Sequence, residues 1–115
     1  MLCYVGLLSS VNDLKAISKP SSILLTWIQP FSLDITGVDP DLWYCIEVYN
    51  VTSVNTTSES IKLLSTNCSV YLPEFTFILN PPNPCDEFEF RVTPVNGAGS
   101  GSTSSPVNGH FLAGW

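Results

Sequence analysis

The chain has 115 residues, 44% hydrophobic and 12% charged, with a formal net charge of −6. That is one domain's length with enough apolar mass to build a core, which excludes a disordered chain. Its four cations, Lys15, Lys19, Lys62 and Arg91, are too few and too scattered for a nucleic-acid face or for attraction to an anionic membrane.

The apolar opening MLCYVGLL is far shorter than the ~18 residues of a membrane span. It also lacks the basic region of a signal peptide, so Met1 reads as the start of a fragment and residues 1–10 as a flanking segment. No direct membrane insertion is expected of this chain. A first strand is expected over 13–18, closed by Lys19-Pro20-Ser21-Ser22. SILLTW begins a second strand over 22–28, rich in β formers and ending at Gln29-Pro30. LWYCIEVYN, 42–50, sets Tyr44, Ile46 and Val48 on one face and Trp43, Cys45, Glu47 and Tyr49 on the other. A fourth strand is expected over 60–66. EFTFIL, 74–79, alternates Phe75, Phe77 and Leu79, and Asn80-Pro81-Pro82-Asn83-Pro84 ends it. EFEFRVTPV, within 87–96, alternates Phe88, Phe90 and Val92 against Glu89, Arg91 and Thr93. A last strand is expected over 102–111. Alternation with period two means one face buried and one wet, and short strands between regular turn signals mean an all-β antiparallel sandwich of about seven strands.

The glycine-rich stretch Gly97-Ala98-Gly99-Ser100-Gly101 invites comparison with a phosphate-binding loop. Such a loop needs a helix behind it, whose N-terminus holds the anion. STSSPVNGH follows instead, with a proline and no helical stripe, so the glycines read as a hairpin between two strands. No cofactor is expected. Nor is an enzyme: His110 is the only imidazole, the acidic pairs lie on loops or wet faces, and the cysteines show no metal-ligand spacing. Asp34, Asp39 and Asp41 match no calcium-loop spacing and read as solvated turn residues.

FEFRVTPVNGAGSGSTSSPV resembles the end of a fibronectin type III domain, where an aromatic-rich strand passes through a Gly-x-Gly loop to a serine-rich last strand. SSILLTWIQP is similar to that family's second strand, with Trp27 as its buried tryptophan, and WYCIEVYN sits where its third strand belongs. The order and spacing fit from about residue 11 to 112, with 113–115 as a C-terminal flank. The resemblance implies an immunoglobulin-like sandwich, with strands 13–18, 22–28 and 74–79 in one sheet and the rest in the other. It implies a core of Leu14, Ile23, Leu25, Trp27, Tyr44, Ile46, Val48, Phe77, Leu79, Phe88, Phe90 and Val92. It also implies an extracellular interaction or spacer module, joined to adjacent domains of a parent chain and meeting an unidentified protein partner. Partner loops at one pole would be 29–41, 67–73 and 96–101, including Gly97, Ala98 and Gly99. Trp43 and Tyr49, facing outward, are the candidate anchors on the sheet, since aromatic residues anchor interfaces. The alternative is an intracellular structural or scaffold module of the same fold.

Two departures from the family stand out. Phe88 replaces the usual tyrosine, so the 80–86 corner must be held some other way, with the prolines and Cys85 as candidates. The family also usually lacks a disulfide, whereas this chain has Cys3, Cys45, Cys68 and Cys85. Cys45 faces outward with the segment before Cys68 as its spatial neighbour, which allows a Cys45–Cys68 bond. Cys68–Cys85 is the rival pairing, and spacing alone does not choose between them. In a reducing compartment all four would be thiols. Asn50-Val51-Thr52, Asn55-Thr56-Thr57 and Asn67-Cys68-Ser69 fit the N-glycosylation pattern, making Asn50, Asn55 and Asn67 candidate acceptors. Cysteines and acceptor sites together point to an oxidising, extracellular setting.

Overall fold

The computed structural model describes residues 8–30, 42–51 and 62–112. Eight strands follow one another: β1 (Asn12–Ser18), β2 (Ile23–Ile28), β3 (Trp43–Asn50), β4 (Lys62–Val70), β5 (Glu74–Phe77), β6 (Phe88–Asn96), β7 (Gly99–Ser100) and β8 (Val107–Gly109). They form two antiparallel sheets, one ordered β1-β2-β5 and the other β4-β3-β6-β7, with β8 also paired to β6. This is the all-β sandwich expected from the alternation, with the same division of strands between the sheets.

Period-two patterning explains the core directly. On β2, Ile23, Leu25 and Trp27 point inward and are buried, while Leu24 and Thr26 point out. On β3 the buried set is Tyr44, Ile46 and Val48, and on β6 it includes Phe88, Phe90 and Val92. The two faces meet through aromatic rings in edge-on geometry. Trp27 lies against Tyr44 at 5.0 Å between centroids, and Phe77 against Phe88 at 5.1 Å and Phe90 at 5.6 Å. Burial drives the Tyr44 hydroxyl pKa above the ordinary phenol range. Leu14 and Leu79, placed in the core by the sequence, are only partly buried against it. Val11, Val70 and Phe111 complete the cluster, and Leu8, in the expected flank, is also buried.

The strands at the edges depart from expectation, each for a physical reason. β4 runs to Val70 rather than ending at 66, and residues 60 and 61 lie outside the described set. Every residue of β4 before Val70 is exposed, so the strand has no buried face to impress an alternating pattern on the sequence. β5 ends at Phe77 instead of Leu79. The last strand is split into β7 and β8 by the irregular segment 101–106.

That segment still belongs to the ladder. The Gly101 N–H donates to the Pro94 carbonyl at 2.7 Å and the Ser104 N–H to the Val92 carbonyl at 2.9 Å. The Val92 N–H, in turn, donates to the Ser104 Oγ at 3.0 Å, so a side chain stands where a regular strand would offer a carbonyl. Ser104 is buried, 8% exposed. Ser104→Ala is therefore expected to leave a buried N–H unpaired and to cost about 1–3 kcal/mol. Chemical denaturation of both proteins checks this, and Ser104→Thr, which keeps the oxygen, should lose less.

In the corner before β6, Asn83 accepts two hydrogen bonds, one of them from the Cys85 backbone. The Asn83 side chain accepts the Cys85 N–H at 2.9 Å, and its carbonyl accepts the Asp86 N–H at 3.1 Å. The Asn80–Pro81 peptide in the same corner is cis. Phe88 spends its ring on Phe77 and Phe111 in the core.

Candidate interaction surface

β3 lies between β4 and β6, so its register places every outward side chain of the larger sheet. Trp43 is opposite Val95, Cys45 opposite Thr93, Glu47 opposite Arg91 and Tyr49 opposite Glu89. On the other side Glu47 faces Thr66 and Tyr49 faces Leu63. Cross-strand partners share a face, so these residues form one continuous outer surface.

Its middle is a locked polar-aromatic cluster. The Tyr49 hydroxyl donates to the Glu47 carboxylate at 2.8 Å. Arg91 donates to Glu89 Oε2 through Nε at 2.9 Å and through a terminal nitrogen at 2.6 Å. The same guanidinium lies over the Tyr49 ring, 4.6 Å from its centroid, in cation–π geometry. The hydrogen bond to Glu47 raises the Tyr49 pKa, and the one to Glu89 raises that of Arg91. Four side chains thus fix one another in place.

Trp43 and Tyr49, the two candidate anchors, are both half-buried and both project from this face. They stand six residues apart on β3, or roughly 20 Å at a strand's rise per residue. Tyr49 belongs to the polar cluster, whereas Trp43 is paired with Val95 near the pole where β6 turns into β7. The two candidates thus lie on separate parts of this face.

At that pole Gly97 and Ala98 form a two-residue hairpin between Asn96 and Gly99, which are paired. The Asn96 side chain accepts the Ala98 N–H at 3.0 Å, and Gly99 has a φ of 126°, a conformation that favours glycine. The glycine cluster is a turn, as expected. Of the expected polar loops, 67–70 belongs to β4 and only 71–73 connects strands; 31–41, with its three aspartates, lies outside the described residues. Within the expected loop 67–73, Tyr71 and Leu72 are 69% and 65% exposed. Their signal was an apolar pair directly ahead of Pro73, easily taken for the end of a strand.

Cys45 and Cys68 form a disulfide between β3 and β4. The rival Cys68–Cys85 pairing is excluded by this bond: Cys85 is an exposed free thiol in the Asn83 corner, at the opposite end of the sheet from Cys68. Cys3 lies outside the described residues. Among the candidate glycan acceptors, Asn67 is exposed on β4, Asn50 is half-buried at the end of β3, and Asn55 lies outside the described set. The Asn67 side chain accepts the Ser69 N–H at 2.9 Å.

The architecture is that of a fibronectin type III domain. No family model matches the chain, and no curated protein matches it in sequence. Solved structures do match. The third fibronectin III domain of human KIAA0343 protein is similar over 100% of this chain and 93% of its own, with a TM-score of 0.67 and 18% identity. The FN5 domain of Drosophila Lar is similar over 94% of this chain and all of its own, with a TM-score of 0.64 and 16% identity. The twitchin kinase region from C. elegans matches over 94% of this chain and 17% of its own, with a TM-score of 0.64 and 14% identity.

Proposed function

We propose that this chain is a non-catalytic interaction or spacer module of an extracellular cell-surface, adhesion or matrix protein. The observation that carries the reading is the Cys45–Cys68 disulfide on the solvent face of the larger sheet. Exposed disulfides persist in oxidising compartments and are reduced in the cytosol. The exposed acceptor Asn67 supports the same setting. Partner contact is assigned to the outer sheet face, through Trp43 near the pole and Tyr49 in its polar cluster, with Gly97, Ala98 and Gly99 at the hairpin tip. Adjacent domains of a parent chain would hold the module in place.

Expression with a signal sequence in animal cells tests the compartment. The secreted protein is expected to yield a Cys45–Cys68 linked peptide by mass spectrometry and to lose mass on enzymatic removal of N-linked glycans. A protein that is retained, with free thiols and bare asparagines, would reverse the reading. The second reading, an intracellular scaffold module, would then stand, and the likeness to the twitchin kinase region favours it.

Trp43→Ser tests the surface. It is expected to weaken capture of a partner at least tenfold, as loss of an aromatic anchor does, while stability changes by no more than about 0.5 kcal/mol. A large loss of stability would show that Trp43 serves packing against Val95 instead.

A further inference from the structure

We propose that an N-linked glycan on Asn67 seats its first sugars in the open cleft between β4 and β5, where it covers the exposed edge of the sandwich. The proposal rests on the extracellular reading and goes beyond it, from the presence of a sugar to the surface that the sugar covers. Register puts Asn67 beside that cleft. Asn67 is paired with Ile46 and Ser65 with Val48, and both partners are fully buried. Cross-strand partners share a face, so Asn67 and Ser65 belong to the inner face of the larger sheet. Both are exposed all the same. The sheets part beside them, leaving an open cleft of about 680 Å³. β4 brings Ser65 and Asn67 to it, and β5 with the residues after it brings Phe75, Phe77 and Ile78. Ile78 is 64% exposed and Phe75 only partly buried.

A sugar ring matches such a lining. Its C–H face loses water against aromatic and aliphatic carbons, and its hydroxyls bond to side-chain oxygens such as that of Ser65. The volume falls within the ~300–1,000 Å³ of small-ligand sites. Local geometry leaves the acceptor atom available. Cys68 and Ser69 stand against the single Cys45 of β3, which is a bulge. There the Ser69 N–H donates to the Asn67 Oδ1 at 2.9 Å. Only the amide oxygen can accept that bond, so Nδ2, the atom that carries a sugar, is the other arm of the amide. Cys68 meets Cys45 on the outer face, so the disulfide and the sugar take opposite faces of β4. In the attachment, C1 of N-acetylglucosamine bonds to Nδ2, which gives up one proton, and the lipid pyrophosphate that carried the sugar leaves. Oδ1 keeps its bond to Ser69.

Thr52→Ala with Thr57→Ala removes the other two acceptor signals, leaving Asn67 alone. That protein is secreted from animal cells, and its Tm is compared with that of the same protein carrying Ser69→Ala, which loses the acceptor signal but keeps Asn67 and the Ser69 N–H. The same pair made without glycosylation supplies the baseline. The sugar is expected to raise Tm by roughly 4 °C. It should also slow amide exchange over 74–77, on a strand to which it is not attached. Phe75→Ala and Ile78→Ser, each measured with and without sugar, should abolish most of the gain. Ile78→Ser, at an exposed position, keeps the test decisive if Phe75→Ala fails to fold. A glycosylated protein with the same Tm gain in both variants, or with unchanged exchange over 74–77, would overturn the proposal and leave the extracellular reading standing. So would a secreted, disulfide-bonded protein that is bare at Asn67. Retention in the cell with free thiols would overturn both together.

Discussion

Phe77→Ala should be the most damaging single truncation in the smaller sheet, costing about 3–5 kcal/mol. Phe77 comes from β5, yet its ring touches three rings on the other side of the sandwich or at its end: Phe88, Phe90 and Phe111. It is 6% exposed, and its three neighbours are fully buried. Removing it opens a cavity among aromatic groups that cannot easily close over it. It also removes edge-on ring contacts that add about 0.5–1.5 kcal/mol each beyond area burial. For a domain of this size the loss corresponds to a fall in Tm of roughly 4 °C per kcal/mol. Thermal unfolding followed by circular dichroism checks it, with Phe77→Leu as a milder comparison. A loss near 1 kcal/mol, the average for any substitution, would mean that Phe77 does not hold the two sheets together.

Removing the disulfide by Cys45→Ala with Cys68→Ala should cost roughly 3 kcal/mol. The bond joins residues separated by 23 positions, and closing a loop of that length restricts the unfolded chain. A second effect is local. β4 buries only Val70, so it is held by its ladder to β3 and by this bond, with almost no contribution from the core. Hydrogen exchange should therefore show the amides of 63–69 opening first in the variant, before the rest of the sheet. Cys85→Ser is the control and should leave both measurements unchanged, because Cys85 is an exposed thiol. If Cys85→Ser were as damaging as the double substitution, the pairing would be wrong.

Sequence patterning was most informative where burial is one-sided. Phe88, Phe90 and Val92 alternate because one face of β6 meets the other sheet, and that periodicity places them in the core without any further information. The same holds for Ile23, Leu25 and Trp27. It fails for β4, where eight consecutive residues are wet and polarity follows no period. It fails again at the last strand, where the Ser104 hydroxyl replaces a carbonyl and lets the chain leave regular geometry while still paired to β6. At the surface, alternation put Tyr49 on the same face as Glu47 and Trp43. The partners that lock it are another matter: Arg91 reaches Tyr49 only through the register between β3 and β6, which no local pattern contains. The competing cysteine pairings were separated by the same kind of information, since it is the β3–β4 register that brings Cys45 to Cys68.

The two ends of the described chain are fastened at opposite poles of the sandwich. The Leu8 carbonyl accepts the Ser102 N–H at 3.0 Å, beside Gly101, where a Cβ would overlap that carbonyl. At the other pole the Leu112 N–H donates to the Lys19 carbonyl at 3.0 Å. Tension applied through the two ends would therefore run along the strands. It would load the β1–β2 and β6–β8 ladders in shear, with their hydrogen bonds sharing the force, instead of peeling them apart one at a time. A unit strung in series with others would then resist stretching until a whole ladder slips at once. The Leu8 and Leu112 clips would be the first bonds to give way.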